Sequence, residues 1–465
     1  MKYKKNDLVT ITIEDIGHDG AGIGKVEGYT IFTKDAIIGD TVKARIMKVK
    51  SSFAYAKLEE VVTPSSFRVI PRCEFHRQCG GCQLQTLSYE KQLEYKQYKV
   101  RNNLVRIGGF APELIEAVIE PIIGMEEPYR YRNKAQYPVG YDKTGNLITG
   151  FYAGRTHDII ANTDCLLGDE RDKEILETVL TYMKANQVTA YDEKKRTGLI
   201  RHILIRFGFY SGEVMVCLIV NSKHKRKLKN QQELVEALTK IPGMASICIN
   251  LNPDHTNVIM GNEVHLIWGR GYINDKLHVN NGRGLNFQIS PKSFYQVNPR
   301  QTEKLYNIAL EFAGLKGDET VWDLYSGIGT ISLFMATAAG KVFGIEVVKE
   351  AVDDARMNAL NNGFENTEFF TGTTENILAE KYREGLYADI IVVDPPRKGC
   401  EPECLEAIIN VKPNRIIYVS CDSATLSRDL QILGNNGYEL KRVRAVDQFP
   451  QTVHVETVNL LTRKD

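Results

Sequence analysis

The sequence predicts a multidomain α/β protein whose C-terminal part is a doubly wound, Rossmann-like parallel sheet. Three observations predict this fold class. The first sixty residues contain short β-rich runs separated by glycine turns, the middle mixes strand and helix patterns, and apolar strands alternate with helices from about residue 320. We therefore expect a β-barrel at residues 1–62, an α+β domain at 63–282 and the parallel sheet at 283–465.

Length and composition disfavour several classes of protein. Of the 465 residues, 43% are hydrophobic and 25% are charged, which argues against extended disorder and fibrous architectures. No run approaches the roughly 18 apolar residues that span a bilayer, and the N-terminus lacks a signal-peptide core. We expect a soluble, cytoplasmic protein without a membrane partner. The net charge of +1 does not by itself indicate nucleic acid, so only local basic patches could bind it.

The N-terminal barrel is predicted from alternation and turns. Asp7–Ile13 alternates apolar and polar residues, and Asp15–Gly24 is a glycine-dense turn region. Further β-rich runs lie at 29–32, 40–49 and 53–62. Short strands at this regular spacing are typical of a small barrel.

The α+β domain is predicted from mixed periodicities. Apolar residues at irregular helical spacing predict a helix over residues 88–107, which we expect can pack on the C-terminal domain. Amphipathic patterns predict further helices over 169–185 and 231–240. Apolar runs predict strands at 134–139, 147–152, 202–209, 213–220 and 246–251.

A glycine turn after the first strand of the C-terminal sheet predicts a cofactor site. The strand ends at Asp323 and Leu324, and Gly327 and Gly329 precede a helix. A dinucleotide fingerprint would have a third glycine where this chain has Ser332. Glu346 ends the next strand, where its carboxylate can accept both hydroxyls of a ribose. Acidic residues at successive strand ends favour S-adenosylmethionine over a dinucleotide.

Two later strand ends predict the chemistry. Asp394 opens a rigid Asp-Pro-Pro loop, and Cys421 follows the next strand. Uracil C5 is too weak a nucleophile to attack a sulfonium methyl, but addition of a thiolate to C6 activates it. A base must then remove the C5 proton. His454 and Glu456 alternate near the C-terminus and are expected on the same face of a strand.

These motifs together resemble the RNA uracil-C5 methyltransferase family, the RumA/TrmA group, over essentially the whole chain. The pattern combines Asp394–Gly399, Ser420–Asp422 and His454–Glu456, and the N-terminal barrel resembles the TRAM domain. The resemblance implies Cys421 as the nucleophile and Glu456 as the proton-abstracting base. It implies S-adenosylmethionine as the cofactor, bound by Gln296, Tyr325, Gly327, Glu346 and Asp394.

A cysteine group precedes the first predicted long helix. Cys73, Cys79 and Cys82 have the spacing C-x5-C-x2-C, and Cys165 follows at a distance. By spacing alone, an iron–sulfur cluster, a zinc site and structural thiols stay open. The family resemblance implies a [4Fe-4S] cluster held by these four cysteines.

The expected partner is a structured RNA. The chain most resembles the 23S rRNA branch of the family, so the expected substrate is 23S rRNA. Tyr129–Lys134 interleaves aromatic and cationic residues, a pattern suited to stacking on bases and pairing with phosphates, though also to a solvated strand. Transfer RNA is the alternative substrate. An exocyclic-amino methyltransferase and an inactive RNA-binding assembly factor are alternative functions. The family resemblance suggests a monomer.

Overall fold

The first five strands close into a barrel in the computed structural model, which describes residues 3–224 and 227–464. Alternate side chains such as Ile11 and Ile13 fill its interior and are about 1% exposed. Strands β3 and β5 are parallel neighbours, and the order around the barrel is β1-β2-β3-β5-β4. The predicted barrel is therefore confirmed. Its strands are Leu8–Ile16 (β1), Gly22–Val26 (β2), Tyr29–Lys34 (β3), Thr41–Val49 (β4) and Phe53–Thr63 (β5).

A buried ion pair ties the segment after β5 to the barrel. The Asp40 side chain is fully buried, and Arg68 Nη2 donates to its Oδ2 at 2.5 Å. The amides of Ile37 and Ser65 donate to the same carboxylate at 2.9 Å each. Burial alone would raise the pKa of Asp40, but the hydrogen bonds from Arg68 and the two amides outweigh it, and the pKa is lowered.

Replacing Arg68 by methionine is expected to destabilise the protein by about 3 kcal/mol, because a buried carboxylate loses its charged partner. Because the folded-state pKa of Asp40 is lowered, its contribution is present above the unfolded pKa of about 3.9 and is lost as pH falls through the folded value. Urea unfolding of both proteins at pH 7 and pH 3 measures this. Equal stability of the two at pH 7 would contradict it.

The contacts divide the chain into two units. One contains the described residues up to Tyr98 together with Phe151–Ile160 and Phe449–His454. The other contains Lys99–Gly150, Ala161–Gln448 and the described residues from Val455 onward. Residues 63–282, predicted as one central domain, are thus shared between the two units. Within the first unit, hydrogen bonds join segments that are distant in sequence, since the amides of Gln83 and Leu84 donate to the carbonyl oxygen of Gln451.

A helix predicted over 88–107 is observed as Tyr89–Arg106 (α1). Its C-terminal half lies in the second unit, where Val100 and Leu104 join the same apolar core as Leu426 and Leu430. Asn103 Nδ2 donates to Ser423 Oγ at 2.7 Å. The chain continues through Pro112–Val118 (α2) and the short strand Ile119–Ile123 (β6).

A mixed sheet follows, and six of its strands run in the order β13-β12-β11-β10-β7-β8. Strands β10 and β11 are buried along their whole length. This part combines strands and helices as the α+β pattern predicts. Its elements are Lys134–Tyr141 (β7), Leu147–Tyr152 (β8), Ile159–Ala161 (β9), Arg171–Ala185 (α3), Ile200–Phe207 (β10), Val214–Val220 (β11), Gln231–Leu238 (α4), Met244–Leu251 (β12) and Glu263–Gly269 (β13).

A hairpin and a capped helix lead into the C-terminal sheet. Ile273–His278 (β14) and Gly284–Ile289 (β15) pair antiparallel. Helix Pro299–Ala313 (α5) begins at a proline, whose fixed φ suits a first helical turn. The Asn298 side chain caps this helix by accepting from the amide of Gln301.

The C-terminal sheet has eight strands in the order β18-β17-β16-β19-β20-β22-β21-β6. Its first five strands in this order are parallel, as βαβ alternation predicts, and β22 is antiparallel to β20. Its elements are Thr320–Asp323 (β16), Thr330–Ala336 (α6), Lys341–Glu346 (β17), Lys349–Asn361 (α7), Thr367–Thr371 (β18), Thr374–Arg383 (α8), Ile390–Val393 (β19), Pro402–Val411 (α9), Arg415–Ser420 (β20), Ser423–Asn435 (α10), Tyr438–Val446 (β21) and Glu456–Arg463 (β22).

Both faces of this sheet are buried. Ile390 and Val392 of β19 belong to one apolar core, and Ile391 and Val393 belong to the other. Burial on both faces explains why these strands read as continuous apolar runs. The doubly wound fold is confirmed. Among the described residues, none of the helices has the length and apolar character needed to cross a bilayer.

Candidate active site

The glycine turn lies between β16 and α6 and shapes one side of the site. Gly327 and Gly329 have φ of +53° and +84°, a left-handed conformation that favours glycine. A Cβ on Gly327 would meet no atom within 4 Å, so the backbone there borders open space. The amide of Gly327 donates to Glu346 Oε2 at 3.2 Å, and the amide of Val348 donates to Oε1 at 2.9 Å. The Glu346 carboxylate is therefore held at the end of β17, beside the turn.

Asp323 ends β16 beneath the turn. Its side chain is fully buried, and Oδ2 accepts a hydrogen bond from Ser332 Oγ at 2.6 Å. The other carboxylate oxygen, Oδ1, has no partner among the described residues. Burial raises the pKa of Asp323 to about 6, with a smaller contribution from Glu346. Ser332, where a dinucleotide fingerprint would have its third glycine, thus orients an acidic side chain.

Two predicted cofactor residues, Gln296 and Tyr325, lie in segments between regular elements. Gln296 is 6% exposed in the segment between β15 and α5, and its carbonyl oxygen accepts from Asn133 Nδ2 at 3.0 Å. Tyr325 is half-buried against an apolar core that includes Cys400 and Cys404. Burial first, and then these two thiols, raise the pKa of Tyr325.

Asp394 follows β19 at the start of the proline loop. Burial, and then the negative charge of Asp323, raise the pKa of Asp394 to about 7. Since β16 and β19 are paired in parallel, with Asp323 opposite Val392, both carboxyl groups are at the same edge of the sheet. Arg397 lies three residues further along the loop, with an exposed side chain.

Cys421 and Glu456 are brought together by strand register. Strand β20 pairs antiparallel with β22, and Ser420 lies opposite Thr457. Cys421 directly follows Ser420 and Glu456 directly precedes Thr457, and the Glu456 carboxyl acts electrostatically on the Cys421 thiol. Cys421 is half-buried, whereas Glu456 is 2% exposed and its Oε2 has no partner among the described residues.

Burial and the neighbouring negative charges disfavour the thiolate form of Cys421. Burial, followed by Glu456 and Asp394, raises the pKa of Cys421 to about 12, while Arg397 acts in the opposite direction. Burial and Asp394 likewise raise the pKa of Glu456 well above its ordinary value. Two carboxyl groups and a thiol in one pocket compete for negative charge, so protons are held there until a cation or an acceptor enters.

Three further residues, Arg397, Tyr306 and Asp323, interact electrostatically with the group formed by Asp394, Cys421 and Glu456. Arg397 is a cation whose charge offsets part of the rise in the pKa of both Cys421 and Glu456. Tyr306 of α5 is buried, and Asp394, Glu456 and Asp323 contribute, after burial, to raising its pKa. Sequence reasoning noted Arg397 and Asp323 only as neighbours in motifs. It missed Tyr306, because a helix that precedes the sheet by sequence carries no local signal of contact with its edge.

The four cysteines predicted to hold an iron–sulfur cluster are divided between the two units. Cys73, Cys79 and Cys82 lie in the unit that contains the barrel, and Cys165 lies in the other unit. Within residues 3–224 and 227–464, no group of three or more His, Cys, Asp or Glu side chains is arranged to hold a metal ion. The described residues therefore do not support the predicted [4Fe-4S] site.

Comparison with known proteins identifies two family matches. The model of the tRNA (uracil-5-)-methyltransferase family matches residues 88–464, and that of the TRAM domain matches residues 4–58. An uncharacterized RNA methyltransferase of Halalkalibacterium halodurans is 46% identical over 462 residues, covering 99% of this chain and 98% of that protein. One from Clostridium tetani is 45% identical over 460 residues, covering 99% and 97%.

A solved structure shares the whole architecture. It is the tRNA (uracil-54, C5)-methyltransferase of Pyrococcus abyssi in complex with S-adenosyl-L-homocysteine. The TM-score is 0.76 and the sequence identity 25%, and the match covers 98% of this chain and 100% of the other.

Proposed function

We propose that this chain, which belongs to the tRNA (uracil-5-)-methyltransferase family and carries a TRAM domain, methylates C5 of specific uridines in 23S rRNA. The combination of this barrel with the group of Cys73, Cys79, Cys82 and Cys165 resembles the 23S rRNA branch of the family and is the reason for naming that substrate. The observation that carries the proposal is the pairing of Ser420 with Thr457, which brings the adjacent Cys421 and Glu456 to the same end of these strands. The charges of Glu456 and Asp394 both act on the Cys421 thiol. A nucleophilic thiol next to a carboxyl group of raised pKa is what addition to C6 and removal of a C5 proton require.

The residues at the sheet edge fit S-adenosylmethionine. Buried oxygens of Asp323 and Glu456 have no partner among the described residues, and the Gly327 backbone borders open space. We assign cofactor binding to Gln296, Tyr325, Gly327, Glu346 and Asp394. When bound, the cofactor supplies a methyl group on a positively charged sulfonium. Its charge complements a pocket where carboxyl groups outnumber cations.

The roles of this chain's own residues follow from the electrostatics. The Cys421 thiolate adds to C6, and the electron pair of the C5–C6 double bond moves to C5. The methyl group would then pass to C5 as its bond to the sulfonium sulfur breaks and a neutral thioether leaves. Glu456 then takes the C5 proton, the double bond reforms and the thiolate leaves. A raised pKa makes the Glu456 carboxylate a stronger proton acceptor. Arg397 balances the negative charge that this sequence of steps creates.

The exocyclic-amino alternative has less support. Such an enzyme binds the amine at the Asp-Pro-Pro loop and has no use for a thiol beside a buried glutamate. The inactive assembly factor would not need the raised pKa of Glu456. Transfer RNA stays a second candidate substrate, favoured by the family description and by the substrate of the Pyrococcus abyssi enzyme.

We expect tritium release from C5-labelled uridine of 23S rRNA when the protein and S-adenosylmethionine are present. Each methylation exchanges one C5 hydrogen for the methyl group, so release should equal methyl incorporation. Parallel reactions with labelled tRNA test the alternative. Release from tRNA alone would reassign the substrate, and release from neither, with cofactor still bound, would overturn C5 methylation.

The other expectations stay predictions. They are the [4Fe-4S] cluster of Cys73, Cys79, Cys82 and Cys165, the monomeric state and the cytoplasmic location.

The barrel offers a surface for RNA, because Phe32, Phe53 and Tyr55 form an aromatic group there with ring centroids 5.5–5.6 Å apart. Aromatic rings of this kind can stack on unpaired bases.

A further inference from the structure

Three cations without an acidic partner lie together in the second unit. Lys134 of β7 is directly opposite Arg206 of β10 in the antiparallel register, and Arg132 precedes Lys134 by two residues. Like charges in directly opposed positions destabilise a sheet. No hydrogen bond or ion pair involves the side chains of Lys134 and Arg132 within the described ranges. This arrangement opposes folding stability, so it calls for another explanation.

The burial of Arg206 adds to the free-energy cost of placing these cations together. Its side chain is 2% exposed, and Nη2 donates to the carbonyl oxygens of Ser293 and, at 3.3 Å, of Pro291. Its Nε has no partner among the described residues. Burial first, then Arg206 and Arg132, lowers the pKa of Lys134 to about 7. A buried charge without a counter-charge is rare, and an incoming anion would relieve it.

Hydrogen bonds connect this cation group to the segment between β15 and α5, which contains the proposed cofactor residue Gln296. Asn133, between Arg132 and Lys134, donates from Nδ2 to the carbonyl oxygen of Gln296 at 3.0 Å and from its amide to that of Val297 at 2.9 Å. Arg206 contacts the same segment from β10 through Ser293. The cations are therefore held next to a residue assigned to the reaction, while Lys134 and Arg132 keep part of their surface exposed.

We propose that Arg132, Lys134 and Arg206 form a binding site for a backbone phosphate of the RNA substrate, beside the target uridine. This inference rests on the proposed function. A phosphate supplies the missing negative charge and accepts hydrogen bonds from both guanidinium and ammonium groups. Holding the strand there positions the nucleotide that must leave its stack to reach Cys421. The three residues are thus positioning residues.

The test measures the dissociation constant for RNA at several salt concentrations, with whichever RNA releases tritium in the presence of the wild-type protein. For Lys134→Met we expect affinity to fall about tenfold and the slope of log K against log salt to shrink by about 1, since one phosphate contact is lost. The affinity for S-adenosylmethionine should not change. The melting temperature should stay equal or rise, because the repulsion from Arg206 is removed.

Matched variants separate charge from structure. Lys173→Met removes the same charge from an exposed site on α3 surrounded by Glu170, Glu174 and Glu177, and should leave the slope unchanged. Lys134→Arg should keep the wild-type slope. Arg132→Gln should reproduce the loss and serves as the second variant if Lys134→Met does not fold.

Three outcomes would overturn the phosphate site. They are an unchanged slope in an active enzyme, weaker binding of the cofactor in place of RNA, and a lowered melting temperature with RNA binding intact. Failure of the proposed function is separate, since the wild-type protein would then release no tritium from the same RNA.

Discussion

Replacing Cys421 by alanine is expected to abolish methyl transfer to RNA, with a loss on the order of 10⁴-fold or more, as when a covalent nucleophile is removed. The reason is electronic. Without addition of sulfur to C6, C5 has no enolate character and cannot attack the sulfonium methyl. Cofactor affinity should change little, because β20, which precedes Cys421, is separated in the sheet from β17 and its Glu346 by β16 and β19. Methyl incorporation from labelled S-adenosylmethionine and equilibrium binding of the cofactor measure the two effects.

The control for this variant is another thiol in the same unit. Cys248 lies in β12, is buried, and is 3.4 Å from Ser246 Oγ, away from the sheet edge. Cys248→Ala removes the same atom and should retain wild-type activity at temperatures below its melting point. Full activity of Cys421→Ala would revive an exocyclic-amino mechanism. Loss of activity in both variants would point to a general effect of thiol removal on the fold.

The ends of the parallel strands could be predicted because their signals are local. Short apolar runs mark the strands, and a glycine turn or a proline pair marks where each one stops. The carboxyl ends of parallel strands lie at the same edge of a sheet. The sequence alone therefore predicts that four residues lie at that edge: Asp323, Glu346, Asp394 and Cys421. The buried runs of β16, β17, β19 and β20 match this expectation.

Elements that depend on distant contacts could not be predicted in this way. Strand β6 has only five residues and pairs in parallel with β21, more than 300 positions away by number. In strand β21 the alternation of apolar and charged residues is interrupted where Lys441 and Arg442 follow each other, at a shift in its register with β22. Strand β22 begins at Glu456, so His454 lies before the strand, and the expectation of a shared strand face is wrong. The cation pair of Lys134 and Arg206 likewise depends on a register that no local pattern specifies.

Replacing Glu456 by glutamine is expected to trap the reaction after methyl transfer. The amide has nearly the same shape but cannot take the C5 proton, so C5 keeps both hydrogen and methyl and the bond from Cys421 to C6 does not break. A covalent adduct of enzyme and methylated RNA should accumulate to about one per enzyme. Tritium release should fall on the order of 10²- to 10⁴-fold, the usual contribution of a positioned base. A denaturing gel with methyl-labelled cofactor detects the adduct.

The pH dependence and a double variant test the same step. Because the pKa of Glu456 is raised, its carboxylate is the minor form at low pH, so proton removal should slow as pH falls through the raised value. The adduct should therefore also build up in the wild-type enzyme at low pH. Adding Cys421→Ala to Glu456→Gln should remove the adduct entirely, since no sulfur is left to form it. Wild-type rates of tritium release from Glu456→Gln would instead assign proton removal to another group, with the carboxyl of Asp394 the nearest by electrostatic coupling. In that case the high pKa of Glu456 would serve only to keep the thiol pocket neutral until the cofactor binds.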